Sequence, residues 1–335
     1  MRGAGEGTRA PETRRERRRR RNRRWLFGLI GVSVIVAACA VVGITVASDD
    51  GSPTSAEVDP TASDDDTTTS APIDAPTTTT GAPFLGWVDP ASVYQPYAGA
   101  TVPGLLTFRG NPTRNYYGKG PVPQAPSVVW KYPDRAMCSL SEDRGSTTNW
   151  CGNGWTGQPA VFERDGRTLV AFGAYDRAVH LVDAATGADV VPPFVTGDII
   201  KGSVTVDPEG YPLIYIGSRD NKFRILAFDR GEFTELWSLD AYDVQPTVWN
   251  DDWDSSALVV KDWLFEGGEN SQIHAVKLNR GYGPDGKVTV APQLVWHAPG
   301  WDDQELQDYG NEVSIENSVA LYGNTLYFGN SGGLV

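Results

Sequence analysis

Residues 211–229 read YPLIYIGSRDNKFRILAFD, and the pattern in that stretch returns on either side of it. With the glycine that closes the first apolar run set as position zero, Gly173, Gly217 and Gly267 are followed three residues on by Asp176, Asp220 and Asn270. Seven residues on come His180, Arg224 and His274. Apolar residues flank each of these last three: Val179 and Leu181, Phe223 and Ile225, Ile273 and Ala275. Alternation of period two marks a strand. The glycine predicts a turn, the Asp or Asn a side chain capping its own backbone there, and the following run a return strand, so each copy is a hairpin. The polar residue at position seven is expected on an outward face. A fourth copy begins with LYFG at 326–329.

A second mark repeats beside the first. VVWKY at 128–132, ELWSL at 235–239 and LVWHA at 294–298 put Trp130, Trp237 and Trp296 at one register of a strand. Short apolar runs precede the hairpins: QPAVFE at 158–163, GSVTVD at 202–207, SALVVK at 256–261 and SVALY at 318–322. Each unit then holds an inner strand, the glycine-closed strand, its hairpin partner and the Trp strand. Glycine-to-glycine steps of 44, 50 and 62 residues, the later ones widened by loops at 280–291 and 301–312, match the blades of a β-propeller. Outside 25–47 no 11-residue window carries a clean helical period. The expected fold class is all-β, a β-propeller of four-stranded antiparallel blades over 128–335, with 84–127 an irregular entry segment rich in Pro, Gly and aromatics. A β-sandwich is the competing architecture, and it gives no reason for the recurring register. Val335 stands six residues past Gly329, before the fourth hairpin returns. The blades are therefore expected to be part of a larger ring, closed by further units or by another chain.

The GxxD turn, the strand running into DAATG at 183–187 and the VVWKY-type strand resemble the repeats of the pyrroloquinoline-quinone-like β-propeller superfamily. The stretches LTFRGNPTRNYYGKGPVP, WCGNGWTGQPAVFERDG and WDSSALVVKDWLFEGGENSQ also resemble membrane-anchored actinobacterial members. That superfamily includes quinoprotein alcohol dehydrogenases and non-enzymatic outer-membrane assembly lipoproteins. The resemblance thus implies a fold and leaves two functions, a binding or scaffolding module or a quinone-dependent dehydrogenase. The family's enzymes carry a disulfide of adjacent cysteines over the cofactor, and this sequence has no Cys-Cys pair. Glu316, Asn317 and Asp254 are present but do not amount to the family's calcium-holding set. Pyrroloquinoline quinone is therefore not the expected cofactor, and no catalytic residue is assigned.

The first 83 residues differ from the rest. Residues 1–24 carry eleven Arg and three Glu, a local charge of +8 in a chain whose total is −13. Residues 25–47, WLFGLIGVSVIVAACAVVGITVA, are 23 residues without a charge; as a helix they would run about 34 Å, enough to cross a bilayer. Arginines before the span and Asp49-Asp50 after it place the N-terminus in the cytoplasm and the remainder on the far side. A cleaved signal peptide shares the basic block and apolar run, but the run is longer than a typical h-region and Val46-Ala47-Ser48 is a weak cleavage site. Residues 48–83 are Thr, Ser, Asp, Pro and Ala with almost no large apolar residue, a composition that stays disordered. The short terminal Arg block reads as a topology signal, with a nucleic-acid arm as the alternative. The acidic remainder argues against DNA and for cations, basic proteins or neutral glycans. The expectation is a single-pass protein of the cell membrane whose extracytoplasmic domain binds an envelope protein or glycan.

Two cysteines lie beyond the span. Cys138 and Cys151 enclose SLSEDRGSTTNW, and in an oxidising compartment they are expected to form a disulfide worth roughly 3 kcal/mol by chain entropy. Asp251, Asp252 and Asp254 in WNDDWDSS, with Asp302 and Asp303 in GWDDQE, are candidates for holding calcium, which takes about six to eight oxygens; service in turns is the plainer reading. Trp150, Trp155, Trp249, Trp253 and Trp301 fall in or beside loops, where they either line a saccharide or peptide cleft or pack between blades. Nucleophile-elbow, zinc-protease and phosphate-loop motifs do not occur.

Overall fold

The computed structural model of the chain describes residues 84–335 apart from Arg144 and 154–156. The tail, apolar span and linker expected over 1–83 lie outside the described residues, as does Trp155. Among the described residues no helix is long and apolar enough to cross a membrane.

The described part is all-β, and each glycine-marked hairpin sits inside its own antiparallel sheet. In chain order, β1 (Gly104–Leu105) is followed by a separate hairpin of β2 (Cys138–Asp143) and β3 (Ser146–Cys151), joined by the expected Cys138–Cys151 disulfide. Unit one is β4 (Ala160–Arg164), β5 (Arg167–Gly173), β6 (Ala178–Asp183) and β7 (Phe194–Val195), with β1 added beside β4. Unit two is β8 (Thr205–Val206), β9 (Leu213–Gly217), β10 (Lys222–Ala227) and β11 (Thr234–Asp240). Unit three is β12 (Leu258–Val260), β13 (Trp263–Gly267), β14 (Gln272–Lys277) and β17 (Gln293–Pro299), the small hairpin β15 (Gly281–Tyr282) and β16 (Val288–Thr289) filling the loop before β17. A short helix, α1 (Asp303–Tyr309), leads to the pair β18 (Ala320–Tyr322) and β19 (Thr325–Tyr327) of unit four. The loops that widened the repeat period thus hold a two-stranded ribbon and a helix.

The register is common to the units. Ala160, Thr205, Leu258 and Ala320 on the inner strands each face the residue two before the closing glycine: Ala171, Tyr215, Phe265 and Tyr327. On the outermost strands Trp237 faces Ile225 and Trp296 faces Ala275, and in both sheets the register slips at the next pair. Unit one departs from the expectation. Residues 128–132 join no ladder, because the outer edge of β6 is taken from downstream, by β7 and by a bridge from Val182 to Asp189. The displaced strap lies against the sheet instead, where Trp130 donates its indole N–H to Ala184 O at 2.9 Å.

The closing glycines serve a purpose other than the turn. Gly173, Gly217 and Gly267 are not left-handed; that conformation falls four residues later, at Arg177 (φ 68°), Asn221 (φ 75°) and Ser271 (φ 65°). What excludes a side chain is the following sheet. A Cβ on Gly173 would lie 2.2 Å from Ile200 Cγ2, one on Gly217 2.2 Å from Trp253 Cβ, and one on Gly267 2.3 Å from Ile315 Cγ2. Each of these partners stands just ahead of the next inner strand, so one contact recurs between successive sheets. Packing on both faces also overturns the outward placement of position seven: β9 is buried throughout, and His180, Arg224 and His274 are 3%, 5% and 0% exposed. A sheet flanked by sheets has no solvent face to receive a polar side chain.

Entry residues 97–114 lie across the inner strands of all four units. Gly104 and Leu105 pair with Phe162 and Val161, Val206 N–H donates to Leu106 O at 2.8 Å, and Leu321 N–H to Pro112 O at 2.9 Å. The buried Arg114 guanidinium donates to Val319 O (2.7 Å), Thr107 Oγ1 (2.6 Å), Phe108 O (2.9 Å), Ser256 O (2.8 Å) and Ala257 O (3.3 Å). Because inner strands end where they meet this segment, their edges are satisfied by a piece of chain outside the repeat.

The recurring glycine contact gives a direct test. Gly217→Ala is expected to lose roughly 1–3 kcal/mol by overpacking against Trp253, whereas Gly120→Ala, with nothing within 4 Å of its Cβ, is expected to change little. Denaturant unfolding of the two variants compares them.

Candidate functional site

The shared register predicts which residues gather where the inner strands begin. Lys201, Asp254 and Glu316 each stand four residues ahead of Thr205, Leu258 and Ala320, and Lys201 Nζ is ion-paired with Asp254 across the junction of units two and three. Close approach of backbones sets the spacing: a Cβ on Gly202 would meet Ser255 O at 2.5 Å. One residue further in, Gln158 N–H donates to Ser203 Oγ at 2.8 Å and Ser256 N–H to Ser318 Oγ at 3.1 Å.

Behind this row lies a buried polar layer. Arg219 Nε pairs with Asp252 Oδ2 at 2.7 Å. Asn250 Nδ2 donates to Asp252 Oδ2 at 3.0 Å and to Glu269 Oε2 at 2.8 Å. Ser255 Oγ donates to Glu266 Oε1 at 2.6 Å. Asp251, Asp252, Asp254, Glu266 and Glu269 are all buried, with Lys201 paired to Asp254 and Arg219 to Asp252. Burial disfavours the ionised carboxylates. It pushes Glu266 up to about 8, against the pull of the Ser255 hydrogen bond and the Arg114 charge. It raises Asp252 despite Arg219, and raises Glu269 with the help of Asp254 and Asp252. Lys201 moves the other way from its burial, because the Asp254 and Glu269 charges hold its proton.

The structure thus brings Asp251, Asp252 and Asp254 together, and oxygens of the latter two face Arg219 and Lys201. Among the described residues no group of three or more His, Cys, Asp or Glu is arranged to hold a metal ion. Asp302 instead caps α1, accepting from Glu305 N–H at 2.8 Å, and Asp303 sits in its first turn. Of the loop tryptophans, Trp253 is fully buried between units two and three, its ring 5.7 Å from Phe223 and 5.0 Å from His274. Trp150 packs edge-on against Tyr175 at 5.5 Å, and Trp150 and Trp301 each hold an indole N–H with no acceptor. Lys201, Arg219, Glu266 and Glu269 were not anticipated from sequence. The available signal was alignment of the residues preceding each inner strand, which pairs Lys201 with Asp254 and Glu316.

No protein-family model matches the chain, and no curated protein matches it. Among solved structures it is similar to "The crystal structure of BamB from Moraxella catarrhalis", at 15% identity over 56% of this chain and 51% of that one, with a TM-score of 0.40. It is also similar to the computationally designed Ika4 protein, at 14% identity over 54% of this chain and 91% of that one, with a TM-score of 0.32. The designed Ika8 protein matches at 15% identity over 61% and 55%, with a TM-score of 0.33. The chain spans about half the length of the BamB chain it matches.

A carboxyl titrating higher in the fold than in the open chain holds a proton that unfolding releases, so its contribution falls as pH rises between the two values. For Glu266 that window runs from 4.5 to about 8. Glu266→Gln, which imitates the protonated acid, is expected to flatten the decline across that window and to raise stability at pH 8.5 by roughly 1–3 kcal/mol. Urea unfolding at several pH values measures both.

Proposed function

We propose that the described residues form successive blades of a β-propeller and that the chain is a membrane-anchored extracytoplasmic binding or scaffolding module of the cell envelope. The observation that carries this reading is the one contact repeated between sheets, Gly173 to Ile200, Gly217 to Trp253 and Gly267 to Ile315. An identical step from each sheet to the next generates rotation about an axis, which is how a propeller is built. Lys201 and Arg219 pair with Asp254 and Asp252, so these charges support structure, and recognition falls to the β2–β3 hairpin that carries Trp150 and to the loops that carry Trp249 and Trp301.

Anchoring follows from the sequence: an Arg-rich flank, the span at 25–47 as the membrane partner and an acidic flank beyond it. The Cys138–Cys151 disulfide agrees with an oxidising compartment. A quinone-dependent dehydrogenase is the second reading, resting on the family resemblance alone.

Two experiments separate these. A reporter fused after residue 83 is expected to be active only outside the cytoplasm, and activity of a cytoplasmic reporter there would contradict the topology. The full chain given calcium, pyrroloquinoline quinone and alcohols is expected to reduce no dye while retaining envelope proteins or glycans in pull-down; turnover without retained partners would favour the dehydrogenase.

A further inference from the structure

Position three meets position seven in all three complete units, and the meetings differ in charge. In unit two, Asp220 binds Arg224 through both oxygens, at 2.8 and 2.5 Å, and Glu235 accepts from Arg224 Nε at 2.9 Å. That guanidinium is a permanent cation. In unit three, Asn270 Nδ2 lies 3.4 Å from His274 Nε2, and His274 Nδ1 lies 3.1 Å from Glu266 O. Burial holds this ring down to about 4, so it is neutral.

Unit one places a histidine in the arrangement of Arg224. Asp176 Oδ1 is 3.2 Å from His180 Nε2. Asp189 stands at the register of Glu235: it bridges Val182, as Glu235 pairs with Leu226, each two residues past position seven. Imidazole is shorter than an arginine side chain, and Tyr132 of the strap spans the difference. Its Oη lies 2.8 Å from His180 Nδ1 and donates to Asp189 Oδ1 at 2.7 Å. Its ring meets His180 edge-on at 5.4 Å, and Phe172 stacks on the imidazole from the same sheet at 5.0 Å.

Counting protons decides what this chain of contacts requires. Tyr132 has one hydroxyl proton, and when it goes to Asp189 the hydroxyl oxygen must accept from His180 Nδ1–H. His180 Nε2 then binds the Asp176 carboxylate only if it also carries a proton. The imidazolium satisfies all three contacts, while the neutral ring leaves one carboxylate without its donor.

We propose that His180 is a pH-sensitive clasp that pins residues 128–132 to unit one when protonated and frees them when it loses its proton. The charged and titratable groups around it are Asp176 from the turn, Asp189 from the outer edge, and Tyr132 from the strap, on which Arg135 also acts; Phe172 of β5 is apolar. The strap has few other holds. Val128 and Val129 are 74% and 82% exposed, leaving Trp130 and Tyr132 as its anchors. Docking is therefore tight when the ring carries both protons and loose when it carries one.

Tryptic cleavage after Lys131 in the folded full chain reports the freed strap, with the rate at each pH divided by that of a peptide copy of 126–137. The normalised rate is expected to be roughly tenfold higher at pH 8.5 than at pH 5.5, the size of one charge-assisted hydrogen bond. His180→Arg, copying unit two, is expected to be slow at both values, and Tyr132→Phe fast at both. A wild-type rate that is flat with pH, or an undiminished pH response in either variant, overturns the clasp.

Discussion

The fan of hydrogen bonds from Arg114 holds together what the repeat alone leaves apart. Separate sheets that pack face to face still end in inner strands whose backbone groups need partners, and a buried group without one costs about 1–3 kcal/mol. Arg114 reaches the inner edges of units three and four and two groups of its own segment. Only a guanidinium has the planar set of donors to do so. Burial pulls it down to about 10, so it stays charged at neutral pH, and its charge in turn acts on Glu266.

Much of this was legible in the sequence. The glycine, Asp/Asn and His/Arg register gave three hairpins in three sheets, the inner strands began within a few residues of their expected places, and Cys138 met Cys151. The rest depends on neighbours far along the chain. The requirement for Gly217 comes from Trp253, 36 residues on, and no local pattern states that. Residues 128–132 have the sequence of the Trp strand, yet β7 and Asp189 take the edge first, a competition between segments of similar propensity that only tertiary structure resolves. Alternation along a strand implies an outward position seven only where one face of the sheet is wet, a rule that fails for a sheet packed on both sides.

The same geometry explains why the acidic loop 249–256 is a poor guide to function by itself. Asp254 and Asp252 are drawn inward by Lys201 and Arg219, and burial raises Asp252 despite the Arg219 charge. Perturbed acids often mark active sites, but ion-paired layers between packed elements perturb them equally, and here Asp252 faces Arg219 and Asp254 faces Lys201. The same repeat position holds a permanent cation at Arg224 and, at His274, a ring that burial keeps neutral.

Hydrogen exchange of the full chain carrying Arg114→Lys tests the central claim most directly. A lysine cannot reach five acceptors, so the amides of Val206 and Leu321, bonded to Leu106 O and Pro112 O, should lose protection by roughly tenfold or more, while β10 and β11 keep theirs. Protection unchanged at Val206 and Leu321, or lost equally in β10 and β11, would contradict an entry segment that ties the inner strands together.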